Sequence, residues 1–283
     1  MLSLSQKQNI KLFYFNDLPN FGDKLSHDLI KKLTNQEVIH ANALNCNIVS
    51  IGSLLENFFV YKDNYSKRIK GLLKPTVKVW GSGFINTPTV NKNYLQRKLD
   101  VFAVRGELSL SRLESAKGVC NIRPNVVLGD PGLLSDHFIN KETIKKKYKV
   151  GIIPHYVDKN SNFLSNLEEN FKIIDITKNT KEFLEEVASC ESILSSSLHG
   201  LIAADSLSIP NLRIKLSSKI VGNDYKFIDY YSSLKIIKHR YITIENNFNW
   251  ENSYNIIMDN YLVRDEEVLN IKKKLLESFK NLS

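Results

Sequence analysis

Cysteine is scarce in this chain: Cys46, Cys120 and Cys190 are three scattered thiols with no CxxC pair, a usage that argues against a disulfide framework and a thiolate metal site and fits reduced, mostly buried cysteines. Long apolar runs are missing as well. No window approaches the roughly 18 to 20 apolar residues of a membrane span, and the stretch from Met1 to Asn9 is polar, without the apolar segment of a secretory leader. The expected location is the cytoplasm. There is no RNP-like aromatic run, zinc-knuckle spacing or long basic arm, so nucleic acid is not an expected partner. The marks of disorder are absent too, because 42% hydrophobic and 10% aromatic residues supply enough apolar surface to offset chain entropy.

What the chain does have is length, charge and a repeating pattern. Its 283 residues are long for one core and suit two domains. The 39 Lys and Arg against 30 Asp and Glu leave a formal charge of +9, which favours anionic partners such as phosphorylated small molecules or an anionic membrane surface. Apolar runs of strand length alternate with stretches of helical period, the pattern of βα units over a largely parallel sheet. Strands are expected at residues 10–15, 47–51, 77–80, 101–104 and 126–128, and again at 149–153, 171–176, 192–194, 211–214 and 240–244. Two such series imply two Rossmann-type, doubly wound α/β domains, residues 1–145 and 146–283, joined through the charged stretch from Asn140 to Tyr148. In the last segment, Val268, Leu269, Ile271, Leu275 and Phe279 share a helical face beside Lys272, Lys273, Lys274 and Lys280. That helix either docks on the protein body or makes peripheral contact with the inner face of a membrane.

In doubly wound sheets ligands bind beyond the carboxyl ends of the strands, so the loops there are the ones to inspect. Asn20-Phe21-Gly22-Asp23 follows the first strand: Gly22 permits close approach, and Asp23 either caps the helix or binds a sugar hydroxyl. Gly52-Ser53 and Gly81-Ser82-Gly83 follow the next strands and offer backbone N–H groups to an anion or sugar. Arg105, in Val104-Arg105-Gly106-Glu107, is expected to direct a guanidinium at the cleft for a carboxylate or phosphate, or else to form a structural ion pair. Asp130, in Gly129-Asp130-Pro131-Gly132, reads as a base or as a turn cap. Pro154-His155-Tyr156-Val157-Asp158 gathers a His, a Tyr and an Asp, with His155 a substrate contact or a hydrogen-bonded structural residue. Ser195-Ser196-Ser197-Leu198-His199-Gly200 runs from a short strand into a helix. His199 falls in its first turn, where the dipole and free N–H groups favour an anion. The dipole lowers the histidine pKa and a bound phosphate raises it, which poises His199 near neutrality as an acid–base.

The order and spacing of these segments, together with Lys226-Phe227-Ile228-Asp229-Tyr230-Tyr231, resemble the polysaccharide pyruvyltransferase family, in its exopolysaccharide and succinoglycan branch, from about residue 10 to 235. The resemblance implies a GT-B-like pair of Rossmann-type domains facing a cleft, with the first domain as the acceptor side and the second as the donor side. It also implies phosphoenolpyruvate as the donor and a pair of sugar hydroxyls on a glycan or lipid-linked saccharide as the acceptor. The route demands neither metal nor cofactor beyond phosphoenolpyruvate. Many relatives carry a basic residue two positions before the histidine, where this chain has Ser197, so the donor phosphate is left to Arg105, Arg213, Lys215 or Lys226, helped by the backbone of Ser195, Ser196 and Ser197. His199 is then the general acid or base, with Asp23 or Asp130 at the acceptor hydroxyls; Asn20, Gly22, Ser53, Ser82, His155 and Tyr156 complete the expected site. The competing readings are a GT-B glycosyltransferase using a nucleotide sugar and a non-catalytic glycan- or phosphate-binding protein.

Overall fold

The computed structural model describes residues 9–16, 20–89, 91–165 and 167–282. The first half contributes β1 (Ile10–Phe13), α1 (Phe21–Thr34), β2 (Val38–His40), β3 (Ile48–Val49), β4 (Phe59–Val60), α2 (Tyr65–Leu72), β5 (Val77–Trp80), β6 (Tyr94–Leu95), β7 (Leu99–Val104), α3 (Glu107–Glu114) and β8 (Cys120–Leu128). The second contributes β9 (Tyr148–Ile153), β10 (Phe171–Ile173), α4 (Thr180–Ala188), β11 (Cys190–Ser195), α5 (Leu198–Ser206), β12 (Asn211–Lys215), α6 (Tyr225–Ser233), β13 (Tyr241–Thr243), α7 (Ser253–Asn260) and α8 (Asp265–Lys280).

Two parallel sheets result. The first is six-stranded in the order β2-β1-β3-β5-β7-β8 and the second five-stranded in the order β10-β9-β11-β12-β13, while β4 and β6 form a short antiparallel pair. β7 is buried along most of its length, as a central parallel strand with helices on both sides must be. Every expected strand is present, with boundaries shifted by a few residues. Each sheet reverses its winding direction once: between β1 and β3 in the first, and between β9 and β11 in the second. The crevice outside the carboxyl ends at such a reversal is where open α/β sheets take ligands.

The halves are cored together. One apolar cluster joins Leu12, Phe21, Leu25 and Trp80 of the first half to Ile153, Phe183, Leu198 and Ile202 of the second, and continues through Ile271 and Leu275 of α8. At its centre Phe21 stacks on Phe183 with centroids 4.2 Å apart, and Phe21 N donates to Ile176 O at 2.8 Å. α1 is started by Asn20, whose side chain accepts from Gly22 N, and is stopped by Asn35 in the left-handed region at φ 50°.

Two expectations change here. The last helix does not remain with the second sheet: α8 crosses back onto the first, where Trp80 Nε1 donates to Ser278 Oγ at 3.0 Å and Lys272 pairs with Asp136 at 2.8 Å. The division at residue 145 therefore misplaces α8, because an amphipathic face shows that a helix docks and not on which sheet. Val268, Ile271 and Leu275 are buried in that contact and Leu269 alone of the five apolar residues is exposed, so the face proposed for a membrane is occupied by protein. The charged stretch before β9 is likewise no free linker, since Lys141 Nζ donates to Leu207 O at 2.9 Å and Lys146 Nζ to Cys190 O at 2.6 Å. No helix among the described residues is long and apolar enough to cross a membrane.

Candidate active site

The first turns of α1 and α5, the helices that follow β1 and β11 at the two winding reversals, meet at the junction of the two sheets. His199 lies in the first turn of α5, and its ring packs so closely on Gly22 that a Cβ at position 22 would sit 2.1 Å from His199 Nδ1. Any side chain there would displace the imidazole. Glycine at 22 thus serves approach between the halves rather than an unusual φ.

Opposite His199 stands Asp130. Its Oδ1 accepts from Gly132 N at 2.9 Å, capping the 3-10 helix at Pro131–Phe138, and its Oδ2 lies 3.9 Å from His199 Nε2. Both of the facing atoms are buried without a hydrogen-bond partner among the described residues. Turn cap and candidate base are therefore one residue, with one oxygen for each task. Burial pushes the Asp130 carboxyl up to about 6. Burial pushes His199 down to about 3, reinforced by the positive charges of Lys226 and Arg105 and by His155. His199 is thus held neutral, below the near-neutral range expected for it, first by burial and then by cations that repel its proton.

Lys226, at the start of α6, is the clearest candidate for holding an anion. It is 9% exposed, its ammonium lies over the Phe227 ring 5.5 Å from the centroid, and it makes no ion pair or hydrogen bond among the described residues. Burial, with help from Arg105 and Arg213, lowers its pKa to about 8. A buried ammonium without a counter-charge is expensive unless an anion arrives.

Arg105 behaves otherwise than the guanidinium expected to reach for a ligand. It is fully buried, with Nε 3.0 Å and Nη2 2.9 Å from Asp229 Oδ2, while Nη1 donates to Ser53 Oγ at 2.7 Å and Nη2 to Phe84 O. Neither edge remains open for bidentate binding, so the ion-pair alternative is the one the structure shows. Asp229 also accepts from Ser109 N and Ser109 Oγ at 2.9 and 2.6 Å. A Cβ on Gly106 would lie 1.7 Å from Asp229 O, so α6, which belongs to the second half, is seated directly on the start of α3.

Arg213 and Lys215 are paired too, both with Asp224, at 2.6 and 2.9 Å. The serine loop divides by role. Ser195 Oγ donates to Ile153 O at 2.9 Å, and Ser196 Oγ accepts from His155 N at 2.8 Å and donates to Asp158 at 2.9 Å. Those two hydroxyls hold the loop. Ser197 occupies the N-cap of α5 without a side-chain capping bond, which leaves first-turn N–H groups for a ligand. Ser82 Oγ donates to Gly52 O at 2.9 Å. His155 is buried and lowered to about 4 by burial, with Lys226 adding to it, and the exposed Tyr156 ring lies against it, tilted by 34° with centroids 4.4 Å apart. Asp23, one residue past Gly22, is raised to about 7 by burial.

A sequence profile of the polysaccharide pyruvyl transferase family matches residues 2–218. The chain belongs to the polysaccharide pyruvyl transferase family. Among curated proteins of similar sequence, an uncharacterized protein, L143, of Acanthamoeba polyphaga mimivirus is 31% identical over 84% of this chain and 78% of its own length. The succinoglycan biosynthesis protein ExoV of Rhizobium meliloti (strain 1021) is 23% identical over 56% of this chain and 48% of its own. Among solved structures, the functionally uncharacterized protein KP1_0663 of Klebsiella pneumoniae subsp. pneumoniae NTUH-K2044 aligns with a TM-score of 0.45 at 14% identity, over 83% of this chain and 92% of that one. In this member of the pyruvyl transferase family the matched region contains His199, Asp130, Gly22 and Arg105, whereas Lys226, Asp224 and Asp229 lie beyond its end. The two acids escaped sequence reasoning; the only signal for Asp229 was its place three residues after Lys226 in the same motif.

Proposed function

We propose that the protein transfers the pyruvyl group of phosphoenolpyruvate to a pair of sugar hydroxyls as a ketal during surface-polysaccharide biosynthesis. The two sheet units act as a GT-B-like pair, in the cytoplasm, where the donor is made. The observation that carries this reading is the buried Lys226, without a partner among the described residues, beside a neutral His199 that faces the Asp130 carboxyl: a cation lacking its anion next to an imidazole lacking its proton.

Phosphoenolpyruvate supplies what each lacks. Its negative charges neutralise Lys226 and raise the His199 pKa, so that His199, backed by Asp130, can take the proton of the first hydroxyl as oxygen bonds to C2. His199 passes that proton to the enol methylene, which becomes the methyl group, and the imidazole returns to its neutral form. The C2–O bond to phosphate then breaks, the second hydroxyl closes the ring on C2, and its proton leaves with inorganic phosphate. One donor and one diol thus give one ketal and one phosphate. The first-turn N–H groups of α5 and Lys226 stabilise the phosphate as it departs.

Ligand-induced stabilisation tests the donor without knowledge of the acceptor. At a hundredfold excess over Kd a ligand specific for the folded state adds about 2.7 kcal/mol, so phosphoenolpyruvate should raise the melting temperature by several degrees and UDP-glucose by much less. A large shift with UDP-glucose and none with phosphoenolpyruvate would overturn pyruvyl transfer in favour of glycosyl transfer.

The ionisation of Lys226 makes a second prediction. An amine titrating at about 8 binds an anion fully below that pH and loses the interaction above it. Donor affinity of the wild type should therefore fall between pH 8 and 10, while Lys226→Arg, which stays charged, should hold its affinity across that range. Equal losses in both proteins, measured as Kd for phosphoenolpyruvate, would remove Lys226 from the donor site.

A further inference from the structure

Beyond Lys226 the carboxyl edge of the second sheet carries more positive charge than one donor uses. Arg213 and Lys215 are two apart on β12 and so share a face of the strand. Beside them the segment Leu216–Asp224 borders an open pocket of about 360 Å³, whose walls include Arg213, Lys215, Ser217, Ser218, Asp224 and Thr243. Arg213 is 3% exposed, lies 3.6 Å above the Phe227 ring, and is held by Asp224 at 2.6 Å and His239 Nε2 at 3.0 Å. Its Nε, though buried, has no partner among the described residues. Lys215 sits over the Tyr241 ring at 3.9 Å. These two cations share the single carboxylate of Asp224, which is partly exposed at the end of the loop, and Lys226 follows two residues later with no anion at all. The charge of Arg213 and Lys215 exceeds what Asp224 neutralises, and these two side chains line one wall of a pocket that also bears the hydroxyls of Ser217, Ser218 and Thr243, with Ser217 donating to Asp158.

We propose that this pocket is a second anion subsite, in which Arg213 and Lys215 take a phosphate or diphosphate ester carried by the acceptor while Lys226 takes the donor. The assignment to the acceptor rests on the pyruvyl-transfer reading; the anion site itself does not. Asp224 holds the two cations in register when the pocket is empty and gives them up to a ligand of higher charge, with the aromatic rings of Phe227 and Tyr241 keeping both side chains in place.

The test is titration of the full-length protein with inorganic pyrophosphate at saturating phosphoenolpyruvate. Pyrophosphate should bind without displacing the donor. Its affinity should fall about tenfold in Lys215→Gln, whose side chain is exposed enough for the fold to survive, and should rise in Asp224→Asn, where the competing charge is removed. Phosphoenolpyruvate affinity should stay within about twofold in Lys215→Gln. Geranyl diphosphate and glucose 1-phosphate, titrated in parallel, identify the carrier, since the tighter of the two tells a lipid-borne acceptor from a phosphorylated sugar. Displacement of phosphoenolpyruvate by pyrophosphate would overturn the proposal, as would unchanged pyrophosphate affinity in Lys215→Gln or weaker binding in Asp224→Asn. Failure of phosphoenolpyruvate to bind the wild type would instead refute the donor assignment and leave the pyrophosphate result to stand for itself.

Discussion

His199→Ala is expected to lower turnover by about 100- to 10,000-fold while leaving the fold intact, the usual loss when a positioned acid–base is removed. The expectation rests on two buried atoms that the fold leaves unsatisfied, His199 Nε2 and Asp130 Oδ2, 3.9 Å apart. Buried polar atoms normally find partners, and a facing pair that has none is where a reacting proton belongs. The distance is too long for a hydrogen bond and short enough to close when a ligand enters. Burial and the neighbouring positive charges hold the free imidazole near a pKa of about 3; a bound donor reverses the charge contribution and lets the ring accept a proton. The alanine variant should bind phosphoenolpyruvate with near-normal affinity, because Lys226 and the α5 N-terminus are untouched. Phosphate release, followed with donor binding and melting temperature, measures all three. A folded His199→Ala protein with turnover within tenfold of the wild type would show that the proton moves elsewhere.

What could be read in advance follows from where the physics is local. The parallel strands were legible because burial on both faces forces apolar runs such as residues 101–104 of β7 and 150–153 of β9, buried throughout. β2 went unseen because only Val38 of its three residues is buried, and β4 and β6 because two residues each carry no period. The small-residue loops announced the carboxyl edge, and His199 and Gly22 proved to be in contact across the junction, a closeness that neither loop encodes alone. Charge pairing was the least legible property. The partner of Arg105 lies 124 residues away, and no local pattern distinguishes an arginine that will be closed off by an aspartate from one left open for substrate. The same limit explains why four basic residues seemed equivalent for the donor, whereas the fold pairs Arg105, Arg213 and Lys215 with carboxylates and leaves Lys226 without one.

Arg105→Met should destabilise the protein by about 3–5 kcal/mol, the cost of breaking a buried ion pair by removing one partner. For a chain of this size that is a fall in melting temperature of roughly 6 to 20 °C. Both members are fully buried, so Asp229 would be left charged and without its main partner close to Asp130, while Ser53 and the Phe84 carbonyl would lose their donors. Replacing both ions relieves most of that penalty, and Arg105→Met with Asp229→Leu should melt above Arg105→Met alone even though it carries one change more. The comparison also decides what Arg105 does for the donor. With both guanidinium edges engaged by protein, its influence on phosphoenolpyruvate passes through the seating of α6 on α3 and hence the placement of Lys226. A double variant that refolds this contact should therefore recover part of the phosphoenolpyruvate-induced shift that the single variant loses. If Arg105→Met instead keeps its melting temperature and loses only the phosphoenolpyruvate shift, and the double variant recovers none of it, then the guanidinium touches the donor directly and the ion pair with Asp229 is not its reason for being there.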